Sequence, residues 1–221
     1  MNRILATLVL ALAVVGSSFA QKWVDATKLT ICGHTIKNAE NPYSRLDCAP
    51  YNFENKTLIR YCRFSTGVYV MFKTNSTEIS AEWSVASSKV RDNITAITQL
   101  GVDLYIKDNG KWRFCGVGRV STNPEVTTYK KSIIKNMAEG EKEFMLYLPL
   151  WSEITDLKIG VDKDATIKAI PSPFKHKIVF IGSSLTHGEA NPRPGLLYVA
   201  QLGRRLNAET PNLGHSGQCK L

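Results

Sequence analysis

Ser184 is the residue of this chain best placed to act as a nucleophile. It follows the apolar run Lys177-Ile178-Val179-Phe180-Ile181 and precedes Gly195 to Leu206, which has helical spacing. A serine at the carboxyl end of a buried strand and ahead of a helix sits where open α/β sheets place their ligands. Oriented backbone N–H groups at such a turn can meet a developing oxyanion. Gly182 and Gly188 flank it and let the backbone approach a substrate. A second glycine-bearing turn follows in Asn212-Leu213-Gly214-His215-Ser216-Gly217. Its Gly214 N–H is expected to join the Ser184 N–H in one oxyanion hole, with Gly182, Gly188, Asn212 and Gly217 supporting the two turns. The chemistry such a pair serves is acyl transfer through a serine ester.

Other chemistries fit less well. Gly182 and Gly188 are one residue too far apart for a phosphate-binding loop, and no lysine follows. The elbow GxSxG fails because Thr186 stands where its second glycine belongs. No CxxC pair or other metal spacing occurs, so neither a metal nor an organic cofactor is expected. A general base needs hydrogen-bond reach to the serine oxygen. His187 and His215 are nearest in sequence and His34 and His176 further away, but all four read as ordinary loop histidines. None of the four is therefore assigned as that base.

The elements that must position Ser184 divide the sequence in two. From about residue 21 to 170 the pattern is β. Ile79, Ala81, Trp83 and Val85 alternate with Glu78, Ser80, Glu82 and Ser84, so one face is buried and one is wet. Gly67 to Phe72 is a denser apolar run, suited to a central strand. Val102 to Lys107 and Lys111 to Val117 flank the turn Asp108-Asn109-Gly110, which predicts a hairpin. Further strands are expected at Phe144 to Leu148, Leu157 to Val161 and Thr166 to Ala169, and no helix is expected before residue 171. Many short strands joined by such turns indicate an antiparallel β-sandwich, jelly-roll-like in style. Residues 171–175, opening on Pro171-Ser172-Pro173, read as a linker. Residues 176–221 then read as strand, helix and strand, the start of a doubly wound α/β domain of flavodoxin-like type.

The first twenty residues stand apart. Arg3 is their only charge, the run Ile4 to Val15 is apolar, and small residues precede Ala20. That is a secretory signal peptide, cut after Ala20, and it implies a periplasmic or secreted protein. The run is too short for stable membrane insertion. Losing Arg3 takes the net charge from +9 to +8, but the cations are scattered in runs of two at most, as on a solvated surface and not a nucleic-acid site. Export permits disulfides; the cysteines are 32, 48, 62, 115 and 219, and a bridge among the first three is compatible with their spacing. Asn55, Asn75 and Asn93 head N-glycosylation sequons, relevant only in a host that glycosylates. Trp83 is expected in the core, while Trp151, at a strand end, is the candidate to stack on a sugar ring.

Two blocks resemble the SGNH (GDSL-like) hydrolases: Ile181-Gly182-Ser183-Ser184-Leu185-Thr186-His187-Gly188, with Ser183 where an Asp often stands, and Asn212 to Gly217. Gly101-Val102-Asp103-Leu104-Tyr105 resembles the GxDLY signature of a β-sandwich that precedes some of these enzymes. Asn41 to Leu46 and Ser65 to Val70 are similar to the same domain. The resemblance implies an exported serine esterase, with an acylated carbohydrate or another small ester as substrate and O-acetyl groups as the favoured leaving acyl. It implies a third block supplying an Asn and a last block supplying Asp and His; neither is found, so the chain reads as truncated and inactive alone. The alternative is a carbohydrate-binding or structural sandwich carrying a non-catalytic remnant.

Overall fold

A computed structural model describes residues 21–218. The expected signal peptide and Cys219 lie outside the described residues.

Two antiparallel sheets form the sandwich. One has four strands: β1 (Gln21–Asp25), β4 (Ile79–Val85), β7 (Thr128–Ile134) and β9 (Ile154–Asp162), in the order β1-β9-β4-β7. The other runs β10-β3-β8-β5-β6, with β2 (Thr30–Cys32) also on β3. Its strands are β3 (Tyr69–Thr74), β5 (Val102–Asp108), β6 (Lys111–Gly118), β8 (Lys142–Tyr147) and β10 (Ile167–Ala169). The two inner faces close on one apolar core that includes Phe72, Trp83, Leu104, Phe144 and Ile159. The Trp83 indole is satisfied inside it, donating to the Leu100 carbonyl at 2.8 Å. At the β5–β6 hairpin, Asn109 and Gly110 both take positive φ, as a two-residue turn that follows the strand twist requires.

The second sheet is buried on its outer face as well. Tyr69, Met71, Tyr105, Met145 and Tyr147 pack there against Tyr61, Trp151, Phe174, Phe180, Leu197, Val199 and Ala200. This explains the dense apolar runs of β3 and β8, whose residues have no wet side.

Two helices interrupt the β region where none was expected: α1 (Lys56–Arg63) and α2 (Ala96–Leu100). The second is too short to show a helical period; the first has one, with Leu58, Tyr61 and Cys62 on one side, that sequence reasoning missed, and both owe their start to a cap. Asn55 Oδ1 accepts from the Thr57 and Leu58 N–H groups, and the Thr95 hydroxyl accepts from Thr98 N–H. Strands β1, β2 and β7 also escape the pattern. The first two are short, and β7 is an edge strand whose side chains are mostly wet.

The remaining chain is a βαβ unit laid on that outer face. β11 (Phe180–Gly182) pairs in parallel with β12 (Asn212–Gly214). Between them come α3 (Ser184–His187), a 3₁₀ turn at Pro194–Leu196 and α4 (Tyr198–Leu206). The expected strand at Lys177 to Ile181 is regular only from Phe180, though Lys177 bridges Glu209. It is not buried on both faces: Ile178, Val179 and Ile181 are exposed. The helix expected from Gly195 starts later, because Pro194 and Gly195 open a 3₁₀ turn first. Among the described residues no helix is long and apolar enough to cross a membrane.

Candidate active site

Ser184 is the first residue of α3 and follows the last residue of β11 by two positions. The parallel pairing sets Gly182 beside Gly214, so the two glycine-bearing turns emerge from the same end of the strand pair. Gly182 is obligatory there, since a Cβ would stand 2.2 Å from Thr186 Oγ1. Gly188 ends α3 in the left-handed region, with φ 108°. Asn212 joins the two segments: its Nδ2 donates to the Thr186 carbonyl at 2.6 Å, and its Oδ1 accepts from Gly214 N–H at 2.7 Å.

That last bond bears on the expected oxyanion hole. The Gly214 N–H is committed to Asn212, and Gly214 is buried with its Cα face against the α3 backbone. The N–H that points toward the Ser184 segment belongs to Gly217. It donates to Ser183 Oγ at 3.3 Å from an exposed turn with φ 69°. Gly214, expected as an oxyanion donor, lets β12 approach α3 closely with its N–H on Asn212 Oδ1, and the Gly217 turn brings a second N–H to the Ser184 segment three residues on.

The histidines are occupied elsewhere. His187 is fully buried, with its ring stacked on Trp151 at 3.8 Å between centroids. Its Nε2–H donates to the Leu150 carbonyl at 3.1 Å, and its Nδ1 accepts from Ser216 N–H. Burial, with the Arg45 cation adding to it, holds it well below the ordinary histidine value, so the ring is neutral. His215 donates from Nδ1 to the Leu213 carbonyl, and burial takes its pKa to about 4. His34 pairs with the Pro42 carbonyl. His176 lies before β11, at the opposite end of the strand from Ser184. Among the described residues, no histidine is hydrogen-bonded to the Ser184 side chain, and no three His, Cys, Asp or Glu side chains could hold a metal ion.

Trp151 is not a sugar platform. His187 covers one face of its ring, and the Arg91 guanidinium lies 4.3 Å from its centroid. Its indole N–H is directed at the Gly188 carbonyl, so it braces α3 from below.

Three joints that spacing alone did not reveal hold the βαβ unit on the sandwich. Arg45 is wholly buried, donating from Nε to the Tyr61 carbonyl at 2.7 Å and from Nη1 to the Gly214 carbonyl at 2.6 Å. Asp103 is also wholly buried; its carboxylate takes both Arg193 Nη1, at 2.7 and 2.9 Å, and the Gly195 N–H, at 2.8 Å. Burial raises the Asp103 pKa while Arg193 pulls it back. Glu209 receives the Gly33 N–H at 3.0 Å and the Lys177 ammonium at 3.5 Å. Gly195 must be glycine because a Cβ would meet the Tyr105 ring at 2.3 Å. The GxDLY segment thus has a physical reading: Asp103 and Tyr105 grip the loop that leads from α3 to α4. Its sequence signal was the motif itself.

The comparisons follow that geometry. Residues 21–167 match the family described as GxDLY, the N-terminus of Esterase_SGNH_hydro-type, over more than half of the chain. The chain belongs to the SGNH-type esterases. Residues 175–221 match the GDSL-like Lipase/Acylhydrolase family. No curated protein matches. Among solved structures, a Bacteroides ovatus protein assigned as a GDSL-like lipase is 40% identical, with a TM-score of 0.84. The alignment covers 90% of this chain and 58% of that one, so this SGNH chain spans little over half of the relative's length. The salicylyl-acyltransferase SsfX3 of a tetracycline biosynthetic pathway shares the fold at 16% identity and a TM-score of 0.65, over 89% of this chain and 54% of its own. A family two carbohydrate esterase from Cellvibrio japonicus does so at 16% identity and 0.51, over 90% and 53%.

Proposed function

We propose that the complete protein is an exported serine esterase that removes O-acetyl or other short acyl groups from carbohydrate. The observation that carries this reading is the pairing of Gly182 with Gly214, which sets the Ser184 turn and the Gly217 turn side by side. Ser184 Oγ attacks the ester carbonyl. The tetrahedral oxyanion accepts from the Ser184 N–H and, in place of Gly214, from the Gly217 N–H. The alcohol leaves, and water releases the acyl group from the serine. The base that takes the serine proton is none of His34, His176, His187 and His215, given their bonds and positions. The 221 residues alone are accordingly inactive.

Export rests on the first twenty residues. The carbohydrate half of the reading is supported by the name of the Cellvibrio japonicus neighbour. It is also supported by the exposed pair Tyr51 and Phe53, whose rings stack at 5.6 Å on a loop tied by Asn55 Nδ2 to Gln218 Oε1 at 2.6 Å. Such a pair can receive a sugar face beside the Gly217 turn.

The test is hydrolysis of p-nitrophenyl acetate and of acetylated xylan. The complete protein should cleave both, and Ser184→Ala should lower the rate by about 10⁴-fold or more. The 221-residue chain should give only the buffer rate. Undiminished turnover in the Ser184→Ala protein would remove the nucleophile assignment. Turnover by the short chain that Ser184→Ala abolishes would mean that a base lies within it.

A further inference from the structure

The segment that carries Tyr51 and Phe53 leaves and re-enters the fold at two cysteines. Arg45 N–H donates to the Phe64 carbonyl at 3.1 Å and Leu46 N–H to the Cys62 carbonyl at 3.3 Å, so the chain entering the loop runs alongside the end of α1. Two residues on, Cys48 comes into the neighbourhood of Cys62, whose thiol it helps to hold above the ordinary value. Cys62 is fully buried and Cys48 half-buried. Cys32 and Cys115 sit apart on β2 and β6. Beneath the pair lie Arg45, bonded to the Gly214 carbonyl, and His215, whose Nε2 is 3.9 Å from Cys62 Sγ.

We propose that Cys48 and Cys62 are a disulfide site that closes the loop of residues 48–62. The oxidant is a small-molecule disulfide such as oxidised glutathione. Cys48, the more accessible sulfur, attacks as thiolate, forms a mixed disulfide and expels one glutathione thiolate. Cys62 then attacks the Cys48 sulfur and expels the second. The two cysteine sulfurs lose two electrons to the glutathione disulfide, and their two protons leave with the glutathione products. Burial pushes the Cys62 thiol up to about 12, so little of it is thiolate and the second, intramolecular step is the slower one. The bond fastens both ends of the loop to one point, and with them Asn55, whose amide reaches Gln218 beside the Gly217 turn.

The experiment uses the 221-residue chain, reduced and then exposed to oxidised glutathione. The oxidised protein should be lighter by about 2 Da, the two thiol hydrogens. Trypsin should yield peptide 46–56 linked to peptide 61–63, as the cuts follow Arg45, Lys56, Arg60 and Arg63. Oxidation should raise Tm by roughly 5–10 °C, the gain expected when a loop of this length is closed. Cys62→Ala risks the fold, so the control is Cys48→Ser, which should fold and lose both the linked peptide and the oxidant-dependent rise. Free thiols at both positions after oxidation, a link from either to Cys219 instead, or an unchanged rise in Cys48→Ser would each overturn the proposal.

Discussion

The sandwich and the βαβ unit use apolar residues in opposite ways. In the sandwich, Phe72 and Phe144 face each other across adjacent strands, stacked at 5.4 Å, and neither is exposed to solvent. In the βαβ unit the apolar residues on either side of Ser184 are largely outside: Ile181 is 75% exposed and Leu185 73%. The two regions have similar hydrophobic runs, and what separates them is neighbours. Strand β3 has paired strands on both edges and packed residues on both faces. Strand β11 has β12 on one edge and the sandwich behind it. The βαβ unit therefore keeps its place through joints to the sandwich more than through a core of its own, and its stability is borrowed.

The comparison is broken most sharply by cutting into each region. Phe144→Ala should cost about 3–5 kcal/mol, from lost burial plus the cavity left in a core that is closed on all sides. Urea denaturation followed by tryptophan fluorescence measures it. Next is the joint. Asp103→Asn leaves Arg193 beside a neutral partner inside the interface, for which a loss of about 2–3 kcal/mol is expected, since Arg193 keeps some contact with water. The loss should appear in the βαβ unit first. Limited trypsinolysis should cut at Arg204 or Arg205 well before it cuts within the sandwich. Simultaneous cutting of both regions would show that they unfold as one body.

This division also explains what could be read from the chain. Where a face is half wet, as in Ile79 to Val85, alternation announced the strand. Where turn chemistry is demanding, as at Asn109-Gly110, it announced the hairpin. Helix α2 stayed hidden because it is little more than a turn, set by a cap instead of a period, while α1 has a period over only two turns, Leu58, Tyr61 and Cys62 on one side, and was missed within a β-rich region. The Ser184 turn was legible because its glycines are forced by close contacts, Gly182 against Thr186 and Gly214 against the α3 backbone. The roles within it were less so. That Gly214 surrenders its N–H to Asn212 while Gly217 keeps one facing Ser183 depends on side-chain directions that spacing does not encode. Likewise, nothing in the sequence marks Trp151 as a brace, because the His187 ring and the Arg91 guanidinium that pack on its ring come from distant segments.

A third test concerns pH. The His187 pKa is depressed far below its ordinary 6.5, and that of His215 to about 4, both by burial. Below pH 6.5 the unfolded chain binds protons at these two positions that the folded chain refuses, so unfolding takes up protons and stability falls with acidification. The contribution is fully present above pH 6.5; for His215 the loss levels off near pH 4, and for His187 it continues further. The expected result is a Tm that drops steadily from pH 6.5 toward 4. His215→Asn should drop less over that window, because one of the two refused protons no longer has a site. Both histidines lie where the βαβ unit meets the sandwich, so the acid transition should release that unit first and sharpen the contrast.

The smallest effect belongs to Ile181→Ser. In a closed core, replacing an isoleucine by serine is among the costlier changes. Here the side chain is mostly in water, so little transfer energy is at stake, and what remains is the lower preference of serine for a strand, less than about 1 kcal/mol. The substitution should leave the urea midpoint nearly where it was. It should also lower the binding of an apolar dye, because Ile181 joins Val179 and Leu185 in the exposed apolar residues around β11. A loss approaching that of Phe144→Ala would mean that Ile181 is covered in solution, by a second copy if the loss grows with protein concentration. The βαβ unit would then have a core after all, and its dependence on Asp103 and Arg193 should shrink to match.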